Sequence, residues 1–473
     1  MKRLAIKGYL LVLFCGVLST AVNAQPFRSA WFLEGVSTRH RMNPAFMSER
    51  NYISVPGLGN AGIAAQGNVG LTDFIYRYDD PSGEYELTTF MSSTVGRDEF
   101  LDKLHDVNRL QMNADVTLLG VGFYGWNGFN TIELVSRSDM DTNLPYELFN
   151  FMKTGMDNPG GNDYQIRNIR SISESYAELA FGHAHAITRK LTIGAKLKIL
   201  FAGAYADAHV RQLDVTMDQD QWKVIANGTI LGSMKGASFK TEDDGKGNHI
   251  KGFDVDGSGL NGWGLAADMG IDYQLSPDLA ISGALTDLGF ISWRDMLRGA
   301  TLNEPYYFDG FEHIDADEND QESSNDFDEQ LEALGDDLGD LAKFYDQGNT
   351  GGERRMIAAN LNLGAEYTLP FYRRLSAGFL WTTRFHKLNT WTEARLSANM
   401  APTAWFDFSV NYGVSNLATS LGWIFNFHPR GVNFFIGSDQ MLLKINSQGI
   451  PLNNMNAGIL AGMNITFGQV RSR

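Results

Sequence analysis

The chain has a single cysteine among 473 residues, Cys15, and it lies inside an apolar run at the extreme N-terminus. Metal–thiolate sites, disulfides and cysteine nucleophiles are therefore excluded from everything that follows it. Basic residues are in deficit: 39 Lys and Arg stand against 55 Asp and Glu, a net charge of −16. Duplex binding needs a basic stripe that displaces counterions, so nucleic acid is not an expected partner. After residue 24 no apolar run approaches the roughly 20 residues of a spanning helix. Gly-x-Ser-x-Gly, P-loop and HExxH motifs are missing too, and no spacing of Ser, His and acid singles out a nucleophile with its base. The chain is read as a non-enzyme without a cofactor.

What is present begins with an address. Lys2, Arg3 and Lys7 precede the apolar run 9–18 (YLLVLFCGVL), and Val22-Asn23-Ala24 supplies the small residues that signal peptidase reads. Cleavage after Ala24 is expected, and it removes three basic residues, so the mature charge is −16 − 3 = −19. Phe14 before Cys15 fits a lipoprotein site poorly, so no lipid anchor is expected.

Segment after segment of the mature chain alternates apolar and polar with period two. In 360–369 Leu361, Leu363, Ala365, Tyr367 and Leu369 share one face, opposite Asn360, Asn362, Gly364, Glu366 and Thr368. The segments 191–201 and 263–273 repeat the pattern over a length that suits a tilted membrane strand better than a globular one. Aromatics near segment ends, such as Trp263, Tyr273, Phe371, Tyr372, Trp405 and Phe427, suit interfacial girdles. Short connections near 188–190, 274–278, 370–374, 400–403 and 426–431 alternate with long ones near 138–172, 235–260, 289–354 and 444–455. Short periplasmic turns opposite long external loops define an outer-membrane barrel. The prediction is an all-β, antiparallel transmembrane barrel in the outer membrane of a Gram-negative bacterium. About 14 strands are expected (range 12–16), with 14 to 16 from Glu84 onward and 203–234 the hardest stretch to place. Residues 1–24 are the leader, 25–80 an N-terminal plug and first strand region, 81–467 the barrel, 301–350 an acidic external loop and 468–473 a tail. The last strand ends Gly462-Met463-Asn464-Ile465-Thr466-Phe467, similar to a terminal insertion signal, with Leu460 where that pattern prefers a polar residue.

Arg41-Met42-Asn43-Pro44-Ala45-Phe46, followed by Pro56-Gly57-Leu58-Gly59-Asn60-Ala61-Gly62, resembles the plug region of the FadL-like superfamily and its PorV-like relatives. With 191–198 (LTIGAKLK) and 286–293 (TDLGFISW), the chain looks like an uncharacterised Bacteroidetes outer-membrane barrel family that has no established activity. The FadL-like resemblance implies 14 strands, a plug and, for some members, passage of hydrophobic molecules. The PorV-like one implies service in protein secretion and surface attachment.

The plug candidates are Asn43, Pro44 and Ala45, where proline fixes a bend and nearby glycines let the backbone approach the wall. Inward-facing candidates are Lys196, Lys198, Asp268, Asp272, Glu366, Arg384, Glu393, Arg395, Asp407 and Asn411, which either fill the lumen electrostatically or line a pathway. From Glu304 to Asp346 sixteen acids face one lysine, Lys343, while Leu331, Leu334, Leu338, Leu341 and Tyr345 recur at helical spacing. That segment is expected to be an external loop with a short amphipathic helix, and it is the candidate docking element for a protein partner, or a cation site. Asp254, Asp256 and Ser258 resemble part of a calcium loop, but Leu265 stands where the closing acid belongs, so an acidic glycine turn is the plainer reading. His183 and His185 share a strand face without a third ligand. Beyond membrane lipid, the expected partner is a hydrophobic or small amphipathic molecule, or else a protein if the barrel is a scaffold in surface-protein export. Transport calls for an apolar cavity beside the plug, and a scaffold for a filled lumen.

Overall fold

Alternating side chains leave one face of every strand apolar and the other polar, and the chain resolves this by closing the sheet on itself. The structure, a computed structural model, describes residues 28–79, 85–92, 94–218, 221–308, 341–385, 388–441 and 456–470. Its wall is built from β1 (Asn51–Ser54), β2 (Ala61–Gly67), β3 (Val107–Gly125), β4 (Gly128–Pro145), β5 (Asp163–Ala186), β6 (Leu191–Met217), β7 (Gly262–Gln274) and β8 (Leu279–Trp293). It continues with β9 (Ala359–Thr368), β10 (Leu375–Phe385), β11 (Trp391–Thr403), β12 (Phe406–Ser415), β13 (Thr419–Phe427), β14 (Val432–Met441) and β15 (Ala457–Phe467). Every pairing is antiparallel, and β15 closes the ring by pairing with both β1 and β2, which in turn pair with β3. Since β1 and β2 share one position, the ring has 15 − 1 = 14 strands.

The faces are those of a barrel in lipid. Leu197, Met269, Leu363, Leu396, Ile459 and Ile465 are exposed outside, while their neighbours Lys198, Asp268, Asn362, Arg395, Leu460 and Asn464 are buried inside. An apolar outside around a charged inside inverts a water-soluble core, and closure leaves no wall edge to satisfy in hydrocarbon. One end carries tight turns. Trp126 and Asn127 take φ of 52° and 58°, the primed hairpin geometry that matches strand twist.

At the other end β5 and β6, with 24 and 27 residues, outrun the roughly 10 residues a membrane strand needs. Together with Trp222–Met234, Ala237–Asp243, Asn248–Val255, Leu297–Ala300 and Tyr345–Asn349 they form an external sheet. Its own core includes Ile166, Leu213, Val224, Ile250, Leu341 and Phe344. Beside it, Phe90 and Phe100 pack on Phe149 of the helix Tyr146–Thr154.

Several expectations are corrected. The wall begins at Asn51, inside the stretch 25–80 read as plug and first strand region, but Tyr85–Thr89 lies outside the wall in a hairpin with Ile75–Asp79. From Glu84 onward 13 strands, from β3 to β15, belong to the wall and further strands lie outside it; with the position shared by β1 and β2 the ring reaches the expected 14. The Gly-rich run sits within the wall, where it interrupts that strand between β1 and β2. The long connection placed at 138–172 is only 146–162, since β4 and β5 continue beyond the membrane. The stretches read as loops at 235–260 and 289–354 contain short external strands, and 203–234 supplies the end of β6 and one strand outside the wall. Tyr345 is in a strand, not on a helix face, and Leu341 is fully buried in the external core. The helix expected over 331–340, most of the acidic segment, the leader 1–24 and 444–455 lie outside the described residues. Leu460 now has a reason: it faces inward against an apolar cluster of the plug with Phe435 and Val36.

Candidate functional site

Residues 28–48 fill the barrel. Trp31, Asn43 and Ala45 are fully buried, and Trp31 meets Phe46 edge-to-face at 5.0 Å between centroids. The sequence allows this because the plug's apolar residues find apolar inward positions on the wall, namely Ala284, Leu380, Ile424, Phe435 and Leu460. Asn43 caps its own bend by accepting from Ala45 N at 2.9 Å, and its amide donates to the Ile271 carbonyl of β7 at 3.0 Å. The bend seats on two glycines that face each other across β6 and β7, Gly194 and Gly270. A Cβ at Gly194 would collide with the Pro44 carbonyl and one at Gly270 with the Asn43 carboxamide. Sequence thus picked Asn43, Pro44 and Ala45 but not the two glycines that receive them.

Polar contacts tie the plug elsewhere. Asp439 accepts from the Arg28 and Ser29 amides at 2.9 and 2.7 Å, and the Arg28 guanidinium lies 4.2 Å over the Trp391 ring. Ser37 Oγ donates to Asn433 at 2.9 Å, and Arg41 forks onto Asp115 at 3.0 and 2.7 Å. His40 contacts Tyr52 Oη at 2.5 Å through Nε2 and Lys196 Nζ at 2.8 Å through Nδ1, while Lys196 also donates to Glu133 at 2.9 Å. An ammonium can only donate, so Nδ1 must accept and His40 must be neutral when docked. Burial, then the Lys196 and Arg41 cations, lower its pKa to about 3 against the pull of Glu133. At the plug's exit His428 bridges Glu49 at 3.5 Å and Asp407 at 3.2 Å. Burial opposes the imidazolium there, but the two carboxylates prevail and raise His428 to about 9.

The two histidines give docking opposite pH slopes. His40 is neutral when docked, so its contribution is complete above its free pKa near 6.5 and falls as pH drops toward 3; at pH 5 the loss is about 2 kcal/mol. His428 is held protonated chiefly by Asp407 of the wall, which stays beside it when the plug leaves, so only its Glu49 contact links its charge to docking, and that part is lost as pH rises through 9. Docking should be tightest above the acid limb of His40 and below the pH at which His428 loses its proton. The labelling rate of a Ser37→Cys reporter against pH measures this, and His40→Gln should flatten the acid limb alone.

Further charges facing the lumen are gathered into clusters along the wall. Lys198 meets Asp287 at 2.5 Å, Asp268 at 2.8 Å and Glu178 at 3.9 Å, and Arg137 joins Asp287 at 3.0 Å and Glu178 at 3.2 Å. Arg384 donates to Asp139 at 2.7 Å, and Arg395 forks onto Glu393 at 2.8 and 3.0 Å and reaches Asn411. Of the remaining inward candidates, Asp272 is buried, Glu366 is half-buried and accepts from Ser376 at 2.6 Å, and Asp407 pairs with His428.

The wall residues Asp115, Glu133, Arg137, Asp139, Glu178, Asp287 and Asp439 were not singled out from sequence. Arg137 and Asp139 lay on the border of a stretch read as a loop. Asp287 escaped because a register shift opposite it and its φ of 61° turn both Thr286 and Asp287 inward, which breaks the period of two.

A chamber of about 50 Å³ remains between plug and charge pairs, lined by Arg28, Arg41, Met42, Asp115, Arg384, Trp391 and neighbours. Its lining mixes charged and amide groups with Met42 and Trp391, where the transporter reading called for an apolar cavity. Asp254 pairs with Lys240 at 3.2 Å across an exposed hairpin, Asp256 and Ser258 are exposed beside it, and His183 and His185 stack at 6.0 Å near the turn end of β5. Among the described residues no cluster of three or more acidic or histidine side chains suited to a metal occurs.

Fold and site together define a transmembrane β-barrel closed by an N-terminal plug. The chain belongs to the family of unknown function DUF5723, which it matches over residues 44–439. Among solved structures it is similar to the toluene transporter TbuX of Ralstonia pickettii, at 10% identity over 95% of this chain and 96% of that one, with a TM-score of 0.42. A FadL homologue of Pseudomonas aeruginosa gives 10% identity over 94% and 99%, with a TM-score of 0.38. The translocator domain of the autotransporter NalP from Neisseria meningitidis gives 8% over 98% and 99%, with a TM-score of 0.32. No curated protein matches the chain.

Proposed function

We propose that this barrel binds or passes a small amphipathic molecule through a lumen gated by residues 28–48. The observation that carries the reading is the chamber on the plug: guanidinium and carboxylate groups share its lining with Met42 and the Trp391 indole, so it offers polar partners and an apolar wall to one molecule. The plug is held by hydrogen bonds and ion pairs, each worth only about 1–3 kcal/mol once water can replace it, so a ligand can exchange them one at a time. A scaffold role is favoured by a different observation, the small size of that chamber within a filled lumen.

The mature chain has no thiol, so a Ser37→Cys/Asn433→Cys pair can lock the plug to β14. In liposomes, uptake of zwitterionic amphipathic probes should stop on oxidation and return on reduction. Uptake indifferent to the lock rules out plug gating, and no uptake in either state favours the scaffold.

A further inference from the structure

The turn end of the barrel carries an excess of basic residues. The connections 187–190, 275–278, 369–374, 404–405 and 428–431 carry Arg189, Lys190, Arg373, Arg374 and Arg430, all exposed, against one acid, Asp278. Four of the five basic residues fall in two turns, 187–190 and 369–374, which flank the turn 275–278 on the rim because β6 pairs with β7 and β8 with β9. Backbone hydrogen bonds fasten this arc: Gln274 N donates to the Lys190 carbonyl at 2.8 Å, Thr368 N to Asp278 at 2.8 Å and Ala401 N to Arg374 at 2.9 Å. Asp278 is taken by Arg373 at 2.7 Å, and Arg374 spends one nitrogen on the Pro402 carbonyl. The arc therefore keeps a surplus of 4 − 1 = +3 on a chain that is −16 overall.

Aromatics fix its depth. Phe371 is 83% exposed, with Tyr372 and Trp405 exposed beside it. A phenyl ring so bare belongs in acyl chains, and Tyr and Trp prefer the headgroup level. The guanidinium and ammonium groups of the same turns then lie among the headgroup phosphates.

We propose that the rim arc formed by Arg189, Lys190, Arg373 and Arg374 is a binding surface for anionic phospholipid of the periplasmic leaflet, recognised through its phosphate and net negative headgroup. The arc is made of turn residues, so it is independent of the plug and of whatever the lumen carries. Basic residues at a lipid surface each favour anionic over neutral lipid by about fivefold, an effect that falls off within a Debye length.

The test uses the full barrel in nanodiscs of phosphatidylcholine with or without a minority share, about 30%, of phosphatidylglycerol to supply negative surface charge, followed by native mass spectrometry of retained lipid. The ratio of phosphatidylglycerol to phosphatidylcholine among retained lipids should exceed the bulk ratio by about fivefold or more, and the enrichment should fade as salt rises. Arg189→Gln, Lys190→Gln, Arg373→Gln and Arg374→Gln together should abolish it while the band still shifts on heating as a folded barrel, and the matching all-lysine variant should restore it. Equal retention of both lipids by the parent, or enrichment surviving in the glutamine variant, overturns the proposal. Competition by inorganic phosphate at millimolar level would also overturn it, by showing a site for a soluble anion instead.

Discussion

Replacing Lys198 by Met should lower the stability of the barrel by about 3–5 kcal/mol, the typical cost of stripping one partner from a buried ionic cluster. Lys198 is 2% exposed and faces three carboxylates, Asp268, Asp287 and Glu178. Without its ammonium, Arg137 alone must serve Asp287 and Glu178, and Asp268 loses the ion pair at 2.8 Å that balances it. Heat-modifiability in detergent, read as the temperature at which the folded band disappears, measures the loss. A double variant, Lys198→Met with Asp268→Asn, should recover part of it, because one uncompensated charge is gone. An unchanged transition in the single variant would mean that water reaches this part of the lumen and screens the carboxylates.

The second large effect concerns the plug alone. Gly270→Val should unseat residues 43–45, since the added side chain would occupy the place of the Asn43 carboxamide and crowd Ala45 N, which lies 3.1 Å from the Cβ position. Overpacking at a wall of paired backbone cannot relax cheaply, and the Asn43–Ile271 hydrogen bond is lost with the bend. A Ser37→Cys reporter should then react with a water-soluble thiol reagent at least tenfold faster, while the barrel remains heat-modifiable. Gly283→Ala on the neighbouring strand is the control: its nearest contact from a Cβ is 3.4 Å, an ordinary packing distance, so docking should be unaffected. Parental reactivity in Gly270→Val would show that the bend does not bear on plug seating.

These two experiments address what sequence reached unevenly. Lys198 and Asp268 could be placed on the lumen side from alternation, because a side-chain period of two says which face a residue takes without any knowledge of its neighbours. Their partner Asp287 could not, because a local bulge overrides that period. Arg41 and His40 were out of reach for another reason: the plug has no regular period, so nothing in its residues says which part of the wall it will touch. Asn43-Pro44-Ala45 stood out only through resemblance and the stiffness of proline, and the glycines that receive the bend lie about 150 and 230 positions away in sequence.

The sequence by itself determined the barrel class, an approximate strand number with short turns on one side, and the polarity of each face, because those follow from a two-residue period and the demand that backbone groups be paired in lipid. It also determined that acid is concentrated in the one stretch 304–346. Tertiary structure alone decided where the wall starts, that the lumen is filled and its chamber mixed in lining, and which carboxylate each cation meets. Those depend on ring closure and plug docking, which bring together residues more than 400 positions apart, such as Arg28 and Asp439 at 3.2 Å.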